Sequence, residues 1–423
     1  MEPVSSKCKS LWYGRQAVVP RRLSDERIAP SKSLPQSWPT AAMVVRRHMG
    51  SEHSSSTRQT CKFHLKHPVI RVGTECSGME PLPWVFKRLG LLDAFQLAFS
   101  CEKDRHCRRL ITQCLHAWGP KSAQGDINHI MLTDIMVRNP KDLPDHDLYV
   151  AGFPCQPFSA MGLREGVSDR HGRGRIITHI VAALQAKQPR AFILENVRGL
   201  VTSHQQTFYN ILKKLRSIGG NAYDISWRLV NTEEHGIPQH RERVYIVGVK
   251  KDLAKANPPF TWPAPCAPRP LADFLKDDDK GDAMQQEAAF KAGASPATRK
   301  ELKQLLRQVR AAGGNPRSTV CPYVFDLDGN KPLAMKDRCP CITRTRGGTG
   351  FYLPSRGRRM TLGERLRLQG LPLAYLQHCQ GISKRQLGMM NGNAMSGNVI
   401  EKLLSQLLPA CGLAFTTSCP SNQ

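Results

Sequence analysis

From Pro68 onward the chain alternates short apolar runs with longer amphipathic ones, and run after run of the first kind stops on a polar residue. "PVIRVGTECSGMEP" reads as a strand entering a turn at Ser77-Gly78, followed by a helix with Trp84, Val85, Phe86 and Leu89 on its apolar side. "AFQLAFSCEKD" is a second strand, ending at Glu102, and a helix follows through Cys114 to Trp118. "GDI" at Gly125–Ile127 marks a third, short strand end, and "DLYVAGFP" is a fourth strand. "GRIITHIVAALQAKQP" is a helix, "AFILENV" a fifth strand, and "YDISWRLVN" and "RVYIVGV" two more. Strands separated by helices join through crossovers, so the pattern predicts an α/β fold with a parallel sheet covered by helices on both faces. Ligands then bind beyond the carboxyl ends of the strands.

That placement changes the meaning of residues that alone would be ordinary. Glu75, Glu102 and Asp126 fall at successive strand tips, where carboxylates can grip the ribose hydroxyls and exocyclic amine of a nucleoside. In "VAGFPCQPFSAMG", Cys155 stands between two prolines at the next tip. A cysteine in such a run is by itself a small buried hydrophobe. Here Glu195, in "ENV", follows at the tip after it, and a thiol beside a carboxyl at one strand edge suggests a nucleophile with an acid partner.

Composition narrows the partners. The 423 residues are 40% hydrophobic, enough for a sizeable core, and carry a formal net charge of +27, which favours a polyanion such as nucleic acid. No apolar run approaches the roughly 18 residues a spanning helix needs, so no membrane anchoring is expected. The 14 cysteines lack paired zinc or disulfide spacing, and Cys339 and Cys341, near Cys321, are wrongly spaced for a metal; no metal is expected. Residues 1–67 are rich in Ser, Pro, Lys and Arg and read as a disordered basic arm. The start lacks a secretory core, but the arm suits an organellar leader, and Arg21-Arg22 and Arg46-Arg47 suit nuclear import.

The motifs in sequence resemble those of the DNA (cytosine-5)-methyltransferase family, in that family's order, from about Pro68 to Leu408. "PCQPFS" at Pro154–Ser159 resembles its nucleophile motif, "ENVRGL" at Glu195–Leu200 its acid motif, and "QHRERVYIVG" at Gln239–Gly248 its paired-arginine motif. "RRMTLGERLRLQGLP" and "GNAMSGNVI" resemble the two C-terminal motifs. The resemblance implies a Rossmann-like S-adenosylmethionine-dependent methyltransferase fold with a mixed, mostly parallel sheet and a small target-recognition domain.

It also implies roles. Cys155 would attack C6 of cytosine, because C5 is a poor nucleophile until a soft nucleophile such as a thiolate adds there. Glu195 would deliver a proton at N3, and Arg241 and Arg243 would bind O2 and the neighbouring phosphate. S-adenosylmethionine would lie against Glu75, Ser77, Gly78, Met79, Glu102, Asp126, Pro154 and Asn393. Gln156, Ser159, Arg164 and Gln239 would contact a cytosine flipped out of double-stranded DNA. Arg164, Arg170, Arg173 and Arg175 sit on a glycine-rich stretch that resembles the family's mobile catalytic loop. One departure stands out: the family's first motif usually has a Phe and two glycines around the methionine end of the cofactor, whereas "ECSGME" keeps Gly78 but has Cys76 and Glu80 in flanking places.

The expected organisation is a basic arm over 1–67, a catalytic and cofactor-binding domain over 68–255, a target-recognition region over 256–350, C-terminal motifs returning to the catalytic domain over 351–410, and a tail over 411–423. Within the recognition region, Ser295 caps a helix with Leu302, Leu305, Leu306 and Val309 as its buried stripe. "CITRTRGGTGFYLPSRGRR" interleaves arginines with Phe351 and Tyr352, a composition suited to phosphate contact. Two other readings stand beside DNA methylation: the family's tRNA-modifying branch, whose Cys-Phe-Thr triplet has its nearest match in "CIT" at Cys341–Thr343, and an inactive DNA-binding regulator. The expected compartment is the nucleus in a eukaryote, with an organelle or the bacterial cytoplasm as alternatives, and the expected state is a monomer.

Overall fold

A computed structural model of the chain describes residues 63–65, 69–119, 127–154, 175–275, 282–329 and 331–416. Asp126, Cys155, Gln156, Ser159, Arg164, Arg170, Arg173 and the arm through residue 62 lie outside the described residues.

The apolar runs do become strands: β1 (Ile70–Glu75), β2 (Phe95–Cys101), β3 (Met131–Leu132), β4 (Leu148–Gly152), β5 (Ala191–Val197), β6 (Tyr223–Asn231) and β7 (Glu242–Lys250). They form one sheet in the order β3-β2-β1-β4-β5-β7-β6. β7 runs antiparallel to both its neighbours, and the other pairs are parallel. Because side chains alternate across a strand, each central strand feeds two cores. Leu148, Val150, Ala191 and Ile193 join the core with α1 (Leu82–Arg88) and α2 (Arg105–Trp118), while Tyr149, Ala151, Phe192 and Leu194 join that of α3 (Ile176–Lys187) and α4 (Gln205–Arg216). Burial on both faces explains why these strands read as near-continuous apolar runs.

Three boundaries differ from the sequence reading. The third strand is Met131–Leu132, so "GDI" precedes it rather than ending it. Phe63–Leu65, assigned to the arm, pairs antiparallel with Ala414–Thr416, assigned to the tail; both are too short for a periodic signal. The small antiparallel sheet of the recognition region joins Tyr323–Asp326, Leu333–Lys336, Tyr352–Leu353 and Arg358–Arg359, and so runs past the expected limit at residue 350. Phe351 and Tyr352 are buried in this region's core, so the phosphate-contact reading of these aromatics is corrected. The helix Pro296–Ala311 matches expectation: the Ser295 hydroxyl accepts from the Thr298 N–H at 3.1 Å, and Leu302, Leu305, Leu306 and Val309 are its buried face.

Candidate active site

β4 and β5 pair in register through Gly152 and Glu195, so the carboxyl stands beside the strand whose continuation is Phe153, Pro154 and then Cys155. A Cβ added at Gly152 would lie 3.6 Å from Glu195 Oε2. Buried Asn196 ties the two exits together, its Nδ2 donating to the Phe153 carbonyl at 3.2 Å. Pro154 is half-buried at the end of this tie. Glu195 itself is only 8% exposed, and Arg243 Nε lies 3.2 Å from its Oε1 across the β5–β7 pair. Burial raises the Glu195 carboxyl above its ordinary range against the opposing pull of Arg243 and Arg241.

The two arginines have different work. Arg241, 2% exposed, donates Nη1 to the carbonyls of Ile342 (2.9 Å) and Gly392 (3.3 Å) and Nη2 to that of Ala394 (2.8 Å). Gln239 is fully buried, with Nε2 donating to the Leu368 carbonyl at 2.7 Å and Oε1 accepting from the Ile342 N–H at 3.1 Å. The expected base contacts of Gln239 and Arg241 are therefore corrected. Both side chains brace the paired-arginine motif against the recognition region and the C-terminal motifs, while half-buried Arg243 faces the acid.

In the sequence Cys341 stood out only as a cysteine wrongly spaced for a metal and as the first residue of "CIT". Its sulfur accepts from Arg243 Nη2 at 3.6 Å and from Arg241 Nη1 at 3.7 Å. Burial pushes the thiol up, but Arg243 and Arg241 more than offset this and leave it below its ordinary value. Gly392 makes the approach possible: a Cβ there would sit 2.2 Å from the Thr343 carbonyl oxygen.

Along the edge, the turn after β1 places Gly78 at φ +57°, with nothing within 4 Å of where a Cβ would be. The Gly78 N–H donates to Glu102 Oε2 at 2.8 Å, and Oε1 accepts from the Asp104 N–H at 2.9 Å. Glu102 remains half-buried at the tip of β2, where its free lone pairs suit the hydroxyls of a sugar. Buried Ser77 bonds to Thr74 (2.8 Å) and Ser100 (2.7 Å). Met79 puts its side chain into the core and its carbonyl under the Tyr375 hydroxyl (2.9 Å), so only its main chain is left for a ligand. Asn393 is exposed at the end of the helix Lys384–Asn393. Glu75 is a correction: it is fully buried, ion-paired with Arg138 and bonded by the Tyr149 hydroxyl, and Arg138 also reaches the His179 carbonyl at 3.1 Å. This carboxylate locks the sheet to α3 and faces no ligand. Its partner Arg138 was invisible in sequence because it lies in an irregular segment 63 residues away.

Among the described residues no group of His, Cys, Asp or Glu side chains could hold a metal ion, and no helix is long and apolar enough to cross a membrane.

Residues 76–408 match the family model for C-5 cytosine-specific DNA methylase. The type II methyltransferase M.NgoBI of Neisseria gonorrhoeae is 32% identical over 346 residues, covering 79% of this chain and 92% of its own. M.HaeII of Haemophilus aegyptius is 34% identical over 319 residues, covering 75% and 87%. Among solved structures, the Entamoeba histolytica methyltransferase EhMeth superimposes with a TM-score of 0.54 at 14% identity, covering 81% of this chain and 98% of its own. The S. pombe Dnmt2 methyltransferase gives 0.51 at 15%, covering 80% and 98%. These two likenesses establish the fold, and the sequence matches establish the kinship: the chain belongs to the C-5 cytosine-specific DNA methylase family and is a DNA cytosine-5 methyltransferase.

Proposed function

We propose that this enzyme methylates C5 of a cytosine flipped out of duplex DNA, with Cys155 as nucleophile at C6, Glu195 as the acid at N3 and Arg243 as the donor at O2. The single observation supporting this is the register of Glu195 with Gly152, which sets a buried carboxyl, already facing Arg243, at the exit of the strand leading to Cys155. Addition of the thiolate moves electron density onto N3 and O2. A protonated Glu195 meets it at one atom and a guanidinium at the other. Once C5 carries the methyl group, its proton passes to water, the 5,6 double bond re-forms and Cys155 leaves as the thiolate. Gln156, Ser159 and Arg164, next to the nucleophile in sequence, would hold the flipped nucleotide and its phosphates.

S-adenosylmethionine supplies the electrophilic methyl group when bound. The open turn at Gly78 and the acceptor carboxylate of Glu102 fit such a ligand: a glycine that leaves room for close approach, and a carboxylate for ribose hydroxyls. Ser77, Gly78 and Glu102 would hold it, with Asp126, Pro154, Asn393 and the Met79 main chain beside them. Arg241 and Gln239 keep the arginine motif in place and touch no substrate. The partner is double-stranded DNA, attracted by the net charge of +27, and the protein acts as a monomer. The bacterial origin of the two type II relatives favours the bacterial cytoplasm over the nucleus.

Tritiated methyl transfer to duplex DNA and to bulk tRNA, with bisulfite mapping, tests the reading. Label on duplex cytosine C5 is expected, and label on tRNA alone would move the enzyme to the RNA-modifying branch. Cys155→Ser is expected to abolish transfer with cofactor binding intact, and duplex containing 5-fluorocytosine to trap the wild type through Cys155. An active enzyme that forms no adduct would overturn the covalent route.

A further inference from the structure

Glu80 stands where the family's first motif usually has glycine, and the reaction above does not use it. It adopts φ +52°, a conformation costly for any residue with a Cβ, and is 4% exposed. Thr74 Oγ1 donates to Glu80 Oε2 at 2.6 Å, and the Ser77 hydroxyl and Leu82 N–H also bond to the carboxyl. Ser100 donates to Ser77 at 2.7 Å, so the hydroxyl protons of Ser100, Ser77 and Thr74 all run toward one acceptor. The neighbours from each packed element are these hydroxyls on β1, its turn and β2, the N–H of α1, and Ile111, Cys114 and Leu115 of α2. Tyr375 donates to the main-chain carbonyls of Met79 and Glu80 at 2.9 and 3.1 Å. The charged neighbour is another carboxylate, Glu102, and among the described residues no cation pairs with Glu80. Burial, aided by Glu102, pushes the carboxyl up to about 7 despite the hydrogen bonds.

A buried acid with donors but no counter-ion is costly to ionise unless a cation arrives. S-adenosylmethionine is such a ligand. Its sulfonium gives it one net positive charge, and the thioether product left after methyl transfer has none.

We propose that Glu80 is the counter-charge by which this turn distinguishes the cationic methyl donor from its neutral product. The inference rests on the reading that the Cys76–Glu80 turn holds the methionine end of the cofactor. Binding of the donor then favours ionised Glu80 and expels its proton, whereas the product leaves the proton in place. Without ligand the sign runs the other way. A carboxyl whose folded value is raised contributes stability that is fully present below the ordinary glutamate range and is lost as pH rises through about 7. Donor affinity should therefore rise as apo stability falls.

Calorimetry on the full chain tests this with S-adenosylmethionine and S-adenosylhomocysteine as probes, in two buffers of different ionisation heat, from about pH 6 to pH 8. The wild type is expected to release protons on binding the donor and far fewer on binding the product. Donor affinity should rise roughly tenfold across that range, the equivalent of one unit of pKa displacement. Glu80→Gln and Glu80→Gly should lose the proton release and most of the donor preference. Equal proton release for both ligands in the wild type would overturn the proposal without recourse to a variant, as would an unchanged preference in either variant. If neither ligand binds the wild type, the cofactor reading itself fails.

Discussion

Glu195 and Glu80 are both carboxyls withdrawn from water at the same edge of one sheet, and they differ in what faces them. Glu195 has Arg243 at 3.2 Å and the charge of Arg241 behind it. Glu80 has the hydroxyls of Thr74 and Ser77, with Ser100 behind Ser77, one N–H and a second carboxylate. Burial raises both acids, but among the described residues only the first has cations to oppose it. The difference follows the charge of what each half would meet. On the base side the proposed reaction makes negative charge on cytosine, so positive charge belongs to the enzyme. On the cofactor side the cation arrives with the ligand, and the protein supplies the anion.

The largest effect expected from breaking this contrast is at Glu195. Glu195→Gln keeps the shape and the strand register but cannot deliver a proton, so the rate should fall roughly 10²-fold or more while cofactor affinity stays near normal. The proposed reaction needs the acid protonated, so the wild-type rate should fall as pH rises through the raised Glu195 value, and the variant should lose that descending limb. A variant that melts far lower, with unchanged turnover per folded molecule, would make Glu195 a structural residue.

Next come the arginines. Arg241→Ala leaves the carbonyls of Ile342 and Gly392 without their buried donor, while that of Ala394 keeps Gln369 Nε2 at 2.6 Å, and should lower stability by about 3 kcal/mol in urea unfolding. Arg243→Ala should leave the midpoint nearly unmoved and cost about tenfold or more in kcat. Reversed outcomes would return the base contact to Arg241.

Much of this division could be read in the chain, and what could not be read has a physical reason. The strands β4 and β5 and the capped helix at Ser295 announce themselves, because burial on two faces or on one helical stripe fixes the residue pattern locally. Their carboxyl ends place Glu195 and Glu102 at one edge for the same reason. The direction of a polar side chain is not local. Glu75 was expected to face a ligand but meets Arg138 and Tyr149, and Gln239 and Arg241 were expected at the base but hold main-chain carbonyls more than 100 residues away. Such partners come from tertiary packing, which leaves no period in the sequence. The link of Cys341 to the arginines was missed for the same reason: one sulfur in a loop has no such pattern until the loop lies against them.

The smallest and most discriminating test concerns that sulfur. Arg243 stands between two groups that can be negative, the Glu195 carboxyl at 3.2 Å and the Cys341 sulfur at 3.6 Å. A thiol held below its ordinary value by Arg243 and Arg241 draws on the charge that would otherwise favour ionised Glu195. Removing it as Cys341→Ala should strengthen the hold of Arg243 on the carboxylate and so lower the Glu195 value. The descending limb of the pH–rate profile should then move to lower pH by about half a unit, and turnover on the alkaline side should fall about threefold. Cys341→Ser, which keeps a neutral hydrogen-bonding group near the guanidinium, should shift the limb in the same direction. A limb that moves to higher pH would mean that Cys341 helps the cations to hold Glu195 ionised, and one that stays put in both variants would mean that the thiol only packs.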